Sequence, residues 1–454
     1  MSKRIVKGVR VGPASLSDYG PAKIDLKPKE VEGLLEELQA YHAIFAPLFK
    51  RSEQAQWAHL YLQGQMLDIE RKSVEPMAQR IVGGNVRNMQ QFIGVGAWED
   101  ESLLEEHEKQ VRRTLGGGDG VLQLDGSDFP KRGQESVGVM RQYCGALGKV
   151  ENCQSGVFIG YGNKQGYTLL NRRLYLPKLW FSKEYQARWA RCGIPKGTPF
   201  RTHAELAWAM IENVARRGVL PFQWVTMDEG YGANPWLLDK VAGLGKYYMA
   251  EVPVNTPVWE TRPQTVTVTV RRKDQWVTRT RLAKGAAAPV AVRSLVDKIT
   301  SWKRRTIKEG SQGPMVAEFA AVRAVAVRQG LPGPDVWVVL RRTLGPEPEL
   351  KIYLCNAPAT TALGTLVQIT GWRWPIETMF EDGKSQLGMD HYETRSWRGW
   401  HHHMTMTILA HHFLVRLGRR LKKKSRADVA ASTAPAAGRT AEARPGCAGS
   451  VAAH

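Results

Sequence analysis

Long apolar stretches and paired cysteines are missing from this 454-residue sequence. It contains no run of about 20 apolar residues, which excludes a typical membrane-spanning helix. The basic N-terminus lacks the apolar core of about 7–15 residues that a secretory signal needs, so we expect no such signal. The five cysteines are widely spaced and form no CxxC pair, which favours a reduced, intracellular protein. A large globular protein remains, and its length predicts about two or three domains.

Acidic residues are too few to balance the basic ones. Lys and Arg number 64 against 43 Asp and Glu, which gives a net charge of +21. Residues 419–454 hold eight basic and two acidic residues, so most of the excess lies elsewhere in the chain. A basic body predicts a polyanionic partner, and nucleic acid is the leading candidate. The alternative is that the charge only keeps a protein with a small-molecule function in solution.

Sequence patterns divide the chain into six segments, of which the first two precede a run of glycines at 116–118. Residues 1–30 are predicted to be a basic N-terminal arm, and residues 31–116 an all-helical, DNA-binding domain. Apolar residues recur at helical spacing from Val31 to Phe49. The basic residues of these helices suit a DNA-facing surface, although a solvated helix face explains any single one of them equally well.

The other four segments carry the predicted core and a tail. Residues 117–252 read as a three-stranded antiparallel meander followed by alternating helices and strands, which predicts a mixed α/β sheet in the element order of the ribonuclease H-like fold. Strict alternation in Gln264–Val270 predicts a β-rich insertion at residues 253–365. Residues 366–418 return to helices and complete the core. Residues 419–454 have low complexity and are predicted to be a disordered basic tail.

Three acidic residues stand where mixed sheets often bind ligands. Asp125 and Asp228 each follow an apolar predicted strand, and Glu377 lies in the first turn of a predicted helix. Three such carboxylates suit a pair of divalent ions, Mg²⁺ or Mn²⁺, that clamp the attacking and leaving oxygens of a phosphoryl transfer. Each acid also has a plain interpretation as a turn former or helix cap. Each has a rival nearby as well: Asp128, Glu229 and Glu381.

The sequence around Glu377, from residue 372 to residue 397, carries a longer pattern. Arg373 lies four residues before this acid, and Lys384 lies seven residues after it. The segment resembles the signature of DDE transposases of bacterial insertion sequences, in the branch with a Tyr-Arg-Glu-Lys pattern around the third acid. One residue departs from the pattern: Thr370 stands where this family has a tyrosine that helps to hold DNA phosphate.

The segments around Asp125 and Asp228 are similar to the same family's first and second acid blocks, and the resemblance covers roughly residues 30–415. It implies a ribonuclease H-like core that a β-rich insertion interrupts before Glu377. The implied activity is metal-dependent cleavage of double-stranded DNA at the ends of an element, followed by joining of the 3′-hydroxyl to target DNA. That activity implies a homodimer on DNA, a bacterial cytoplasmic location near the nucleoid, and no membrane.

Four basic residues are the predicted DNA contacts. Arg373 suits bidentate contact with phosphate, and Lys384 shares a helical face with the third acid. The alternative for Lys384 is a weak intrahelical ion pair with Glu381. Lys131 and Arg132 closely follow the first acid and are expected to meet the phosphate backbone.

Other interpretations of the sequence stay open. The chain could be a DNA-binding relic that no longer catalyses, or a nuclease that cuts without joining. The insertion's tryptophans suit stacking on an unpaired base, although strand tryptophans more often belong to a core; they are Trp259, Trp276 and Trp337. A metal site at His401–His403 lacks the cysteine or clustered acid that would complete it.

Overall fold

The computed structural model describes residues 33–272, 275–310 and 313–433. The predicted arm at residues 1–30 and the end of the predicted tail, residues 434–454, lie outside this part. None of the helices within it is both long and apolar enough to cross a membrane.

The helices and strands are numbered in chain order. The described α-helices are α1 Leu34–Ala43, α2 Ser52–Met66, α3 Val74–Arg80, α4 Val86–Gly94, α5 Asp100–Leu115, α6 Gln186–Arg191, α7 His203–Arg217, α8 Glu229–Gly232, α9 Pro235–Gly243, α10 Leu363–Gly371, α11 Pro375–Leu387 and α12 Trp397–Thr433. The described strands are β1 Gly120–Pro130, β2 Met140–Cys144, β3 Lys149–Asn163, β4 Gly166–Leu174, β5 Phe222–Met227, β6 Tyr247–Glu251, β7 Pro257–Trp259, β8 Thr265–Arg272, β9 Gln275–Leu282, β10 Val290–Ala291, β11 Lys303–Gly310, β12 Gly313–Arg328, β13 Leu331–Thr343 and β14 Leu350–Cys355. Short 3-10 helices cover Ala46–Leu48, Lys178–Phe181, Lys183–Tyr185 and Val292–Lys298.

The helices α1 to α5 pack around the last helix, α12. Their shared core includes Tyr41 and Tyr61 from the N-terminal side and Leu409 and Phe413 from α12. The Tyr41 hydroxyl donates a hydrogen bond to the Leu409 carbonyl at 3.0 Å, which places a polar bond between the two ends of the chain inside an apolar cluster. The C-terminal helix is therefore part of the core on which the N-terminal helices fold.

The central element is a mixed twelve-stranded sheet. Its main order is β10-β7-β12-β13-β14-β6-β5-β1-β3-β2, with β11 beside β12 and β4 beside β3. Strand β1 runs parallel to β5, which runs parallel to β6, whereas β1 and β3 are antiparallel. The helices α7 and α9 cover this sheet with apolar faces that include Met210, Ile211 and Leu237. The prediction of a mixed α/β architecture is confirmed.

Most strands of the β-rich segment, residues 253–365, extend the central sheet. Strand β14 pairs with β6, and β13 and β12 continue the same sheet outward. Only β8 and β9 form a separate two-stranded sheet among the described strands. The reason is that β6 would otherwise leave its backbone donors and acceptors unpaired along one edge, and β14 satisfies them. The first meander also has four strands, β1 to β4, instead of three.

The last helix is longer than predicted. It runs from Trp397 to Thr433, so residues 419–433 are helical although they were predicted to belong to a disordered tail. The segment is rich in Lys, Arg and Ala, which have high intrinsic helix propensity. A segment that is too polar to form a core can thus extend a helix whose earlier residues, such as Leu409 and Phe413, are packed in the core.

Candidate active site

Two of the predicted acids lie at the same edge of the sheet. The parallel pairing of β1 and β5 ends at Leu124 opposite Met227, and the next residue in each strand is the acid. Asp228 follows β5 as predicted. Asp125 was expected to follow the end of its strand, but β1 continues to Pro130 in antiparallel pairing with β3. Since parallel strands present their carboxyl ends together, both carboxyl groups reach one site.

Burial and mutual repulsion control the ionisation of these two aspartates. Burial, and then the nearby charge of Asp228, raise the pKa of Asp125 to about 7, although the Gly126 N–H donates to its Oδ1 at 2.7 Å. Burial also raises the pKa of Asp228, against a lowering effect from the Tyr231 N–H, which donates to Asp228 Oδ1 at 3.2 Å, and from Arg373. Two such acids favour the arrival of a positive charge.

Glu377 approaches the site from the first turn of α11. Pro375 is the first residue of this helix, where the missing N–H of proline costs no hydrogen bond. Arg373, just upstream, joins this acid to the others: its Nη2 lies 2.5 Å from Glu377 Oε1, and its Nη1 lies 3.9 Å from Asp125 Oδ2. The Glu377 side chain is 48% exposed, whereas that of Arg373 is only 12% exposed. Two of the three predicted acids, Asp125 and Glu377, thus lie beside one guanidinium, whose positive charge also acts on Asp228.

Arg373 remains a cation in this setting. Burial alone would lower the pKa of the guanidinium, but Glu377, Glu251 and Asp125 together raise it above its usual value. The predicted phosphate contact is thus occupied by carboxylates. Arg373 can reach a phosphate only by exchanging one of these partners.

A fourth acid, Glu251, was missed by the sequence reasoning. It ends β6, the next strand in the sheet, and its side chain is 11% exposed. Lys351 Nζ donates to its Oε1 at 3.0 Å, and Arg373 Nε lies 3.5 Å from its Oε2. The signal was present, because an acid directly ending the apolar run of β6 is the same pattern that selected Asp125 and Asp228.

The carboxylates suit a hard divalent cation by their chemistry. The site has more acidic groups than basic ones. Its two basic side chains are Arg373 and Lys351, and its four carboxyl groups belong to Asp125, Asp228, Glu251 and Glu377. Oxygen ligands of this kind are those that Mg²⁺ prefers. Within the described ranges, no three His, Cys, Asp or Glu side chains already form a closed ligand set. Arg373 lies among these acids and forms its shortest ion pair with Glu377.

Lys131, Lys384 and Arg132 lie along the continuation of β1 beyond the acids. Lys384 Nζ is 5.5 Å from the centroid of the Phe129 ring, and Lys131 Nζ is 3.5 Å from that of Tyr392. Burial lowers the pKa of Lys131 to about 8. Lys131 and the exposed Arg132 line a cavity of about 700 Å³, and Lys131 also donates to the Tyr392 carbonyl at 3.3 Å. The same cavity is also lined by the acids Glu70, Asp390 and Glu393, and Lys384 is not among its lining residues.

The remaining sequence candidates have structural partners. Thr370 is buried and donates to the Val367 carbonyl at 2.7 Å, so it has no hydroxyl to offer DNA. His401, His402 and His403 are buried, each with a ring nitrogen 2.8–3.1 Å from a hydrogen-bond partner. Among the tryptophans, Trp259 and Trp337 each donate a hydrogen bond from the indole N–H to a backbone carbonyl. Trp276 instead lies on the surface and is 72% exposed.

Carboxylates at the carboxyl edge of a mixed sheet suit the divalent cations that many phosphoryl-transfer enzymes use. Residues 44–314 match the model of the DDE superfamily endonucleases, and because this match covers more than half of the chain, the protein belongs to that family. The matched range includes Asp125, Asp228 and Glu251 and ends before Glu377.

One relative is more specific. Over 200 residues the chain is 27% identical to a probable transposase for insertion sequence element IS701 from Microchaete diplosiphon, which covers 44% of this chain and 48% of that protein. The chain thus matches about half the length of this curated relative. The resemblance to insertion-sequence transposases is confirmed.

Proposed function

We propose that this protein is a transposase that cuts DNA at the ends of an insertion sequence and joins the freed 3′-hydroxyl to target DNA. The observation that carries this proposal is that Asp125 and Glu377 lie beside Arg373, while Asp228 lies at the same edge of the sheet as Asp125. These acids come from a strand, a helix and a strand end, and more than 100 residues separate each from the next along the chain. Family membership and the IS701 relative support the same chemistry.

The core is proposed to be ribonuclease H-like. Antiparallel β4, β3 and β1 followed by parallel β5 and β6 give the meander and crossover order that this fold requires, with α7 as the first crossover helix. On this interpretation β14 to β11 are an elaboration on the outer edge of β6. The helices α1 to α5 are proposed to contact DNA.

Asp125, Asp228 and Glu377 are the residues that would hold divalent cations, Mg²⁺ or Mn²⁺. When bound, such cations stabilise the attacking and leaving oxygens of an in-line phosphoryl transfer. Arg373 partly neutralises the acids beforehand and is then available to a phosphate group, to which a guanidinium can donate two parallel hydrogen bonds, one to each of two oxygens. Lys384, Lys131 and Arg132 continue the basic path for the DNA backbone.

Double-stranded DNA is the proposed partner, bound by a homodimer in the bacterial cytoplasm. Support comes from the net charge of +21 and from basic groups that the fold leaves without acidic partners. Arg279 and Arg281 are examples: they are exposed on β9, and neither forms an ion pair within the described part of the chain. In contrast, Arg328 and Arg342 of the main sheet are paired with Asp239 and Glu318.

The test is a donor-plasmid assay with the element's own flanking sequences as ends. Purified wild-type protein with Mg²⁺ should release the element and join it to a target plasmid, whereas Glu377→Gln should bind the ends without cutting them. Binding should survive because DNA affinity is mainly electrostatic and does not depend on this acid. Cleavage by Glu377→Gln would show that the third acid is misassigned.

A DNA-binding protein without catalysis is the second candidate. It is favoured by the absence of a closed ligand set among the described residues and by the guanidinium that lies between the acids. If neither wild type nor Glu377→Gln cuts while both bind the ends, this candidate is correct. Cutting without joined products would instead indicate a nuclease.

A further inference from the structure

Three adjacent parallel strands each place an acid at the same edge of the sheet. Asp125 follows the parallel part of β1, Asp228 follows β5, and Glu251 ends β6. The first two belong to the proposed metal site. Glu251 is one strand further from β1 and already has two cationic partners, so it calls for a different role.

The two carboxylate oxygens of Glu251 have different cationic neighbours. Oε1 accepts from Lys351 at 3.0 Å. Oε2 is buried and accepts no hydrogen bond within the described part of the chain, and the nearest cationic atom to it is Arg373 Nε at 3.5 Å. A buried carboxylate oxygen without a hydrogen bond is costly. Oε2 therefore favours a closer approach of the Arg373 Nε–H.

Because the guanidinium is planar, a contact at its Nε restricts the directions in which its two terminal nitrogens can point. Its donors are fixed in one plane, so a partner at Nε sets where the two terminal nitrogens point. In this structure Nη1 faces Asp125 at 3.9 Å and Nη2 faces Glu377 at 2.5 Å. The Nε edge lies beside Glu251, whereas Nη2 binds Glu377, whose side chain is 48% exposed.

We propose that Glu251 is a positioning residue that anchors the Nε edge of Arg373, so that the terminal nitrogens stay in the active site when Glu377 turns away from them. This inference rests on the proposed function. Glu377 then gives up Nη2 to the scissile phosphate, and Glu251 prevents the guanidinium from following Glu377. Lys351 orients the Glu251 carboxylate through its other oxygen.

The experiment compares Glu251→Gln with Arg373→Lys and with the double variant. Lys351→Met is the matched control, since it removes the other partner of Glu251 and leaves the contact with Arg373. Single-turnover cleavage at saturating DNA, DNA affinity and thermal unfolding are measured for each protein. Glu251→Gln should cleave about 100-fold more slowly, the typical cost of misplacing a positioning group, with unchanged DNA affinity. Glu251→Asp, which keeps the charge, should recover part of the rate.

The double variant is the decisive protein. If Glu251 acts through Arg373, the double variant should be no slower than Arg373→Lys, and Lys351→Met should lose less activity than Glu251→Gln. A wild-type rate in Glu251→Gln, or losses that multiply in the double variant, would overturn the proposal. If Glu251→Gln does not fold, Glu251→Gln/Lys351→Met removes both charges together and carries the same expectations.

A readout without catalysis separates this inference from the proposed function. Methylglyoxal modifies accessible arginines, and mass spectrometry reports the labelling of Arg373 in the protein alone. Labelling should increase several-fold in Glu251→Gln and less in Lys351→Met. If even the wild type cuts no DNA with Mg²⁺ or Mn²⁺, the proposed function fails; increased labelling then still supports the positioning of Arg373, and unchanged labelling rejects it.

Discussion

Replacing Asp125 with asparagine should stabilise the protein while abolishing cleavage. The substitution keeps the shape of the side chain and the acceptor for the Gly126 N–H. It removes a buried charge whose pKa is raised from 3.8 to about 7, first by burial and then by Asp228. A raised pKa in a folded acid means that ionisation opposes folding, so the wild type is destabilised at neutral pH in the absence of a divalent cation.

The magnitude follows from the shift. At about 1.4 kcal/mol per pH unit, a rise of this size corresponds to a few kcal/mol. The asparagine amide must also be accommodated in the same buried place, so we expect a net gain of about 1–3 kcal/mol in the free energy of unfolding. The pH dependence has a definite sign. The penalty on the wild type is absent below pH 3.8, grows as pH rises, and levels off above about 7.

The assay is urea unfolding of wild type and Asp125→Asn at pH 8 and pH 5, with chelator and then with excess Mg²⁺. In chelator the variant should be the more stable protein at pH 8, and the difference should shrink at pH 5. Mg²⁺ should stabilise the wild type more than the variant. Asp128→Asn is the matched control, because Asp128 is the rival acid in the same strand and should show neither effect. A destabilised Asp125→Asn, or a difference that grows at low pH, would refute the reasoning.

Three further outcomes are expected. The double variant Arg279→Ala/Arg281→Ala should bind DNA more weakly. The slope of log K, the DNA association constant, against log salt concentration should decrease in magnitude by about 1–2, as measured by fluorescence anisotropy. An unchanged slope would exclude β9 from the DNA interface. In the Asp125→Asn variant, which lacks the opposing effect of Asp125, stability should fall between about pH 6.5 and 4, by at most about 1.4 kcal/mol per pH unit for each buried histidine. Burial lowers the pKa of His107 and His403 to about 4, so the unfolded chain binds those protons first. Chemical denaturation of this variant at pH 7 and pH 5 checks this, and a flat profile contradicts it. Thr370→Tyr, which restores the family's residue, should destabilise the protein and leave DNA affinity unimproved, because Thr370 is buried and bonded inside its helix; tighter end binding by this variant would show that the position still faces DNA.

The places of Asp228 and Glu377 could be predicted, because the first follows an apolar strand and the second lies in the first turn of a helix that begins at Pro375. A carboxylate that interrupts an apolar strand is a local signal, and it selected Asp125 and Asp228. The same rule applies to Glu251, but a glutamate before Val252 and Pro253 resembles the start of a turn. Only the neighbouring position of β6 in the sheet gives that acid its significance, and strand order is a property of the whole chain.

Long-range pairing explains the other differences. The apolar run of β12 carries no sign of which strand it will join, and the sheet position of β14 depends on the open edge of β6. The predicted role of Arg373 as a phosphate contact was likewise incomplete. A sequence motif records that an arginine is needed near the third acid, but not that Glu251 and Asp125 lie beside it. Tertiary contacts of this kind become visible only when the strands are in place.

The central claim is that Asp125, Asp228 and Glu377, and not their sequence neighbours, carry the reaction. The most direct measurement is single-turnover cleavage of an end-containing DNA with Mg²⁺ by six single variants that remove one carboxylate charge each. They are Asp125→Asn, Asp228→Asn, Glu377→Gln, Asp128→Asn, Glu229→Gln and Glu381→Gln. We predict that the first three lose cleavage while retaining DNA affinity, and that the last three cut at rates near that of the wild type. The site would be contradicted if one of the last three variants lost cleavage while the variant at the neighbouring predicted acid still cut DNA.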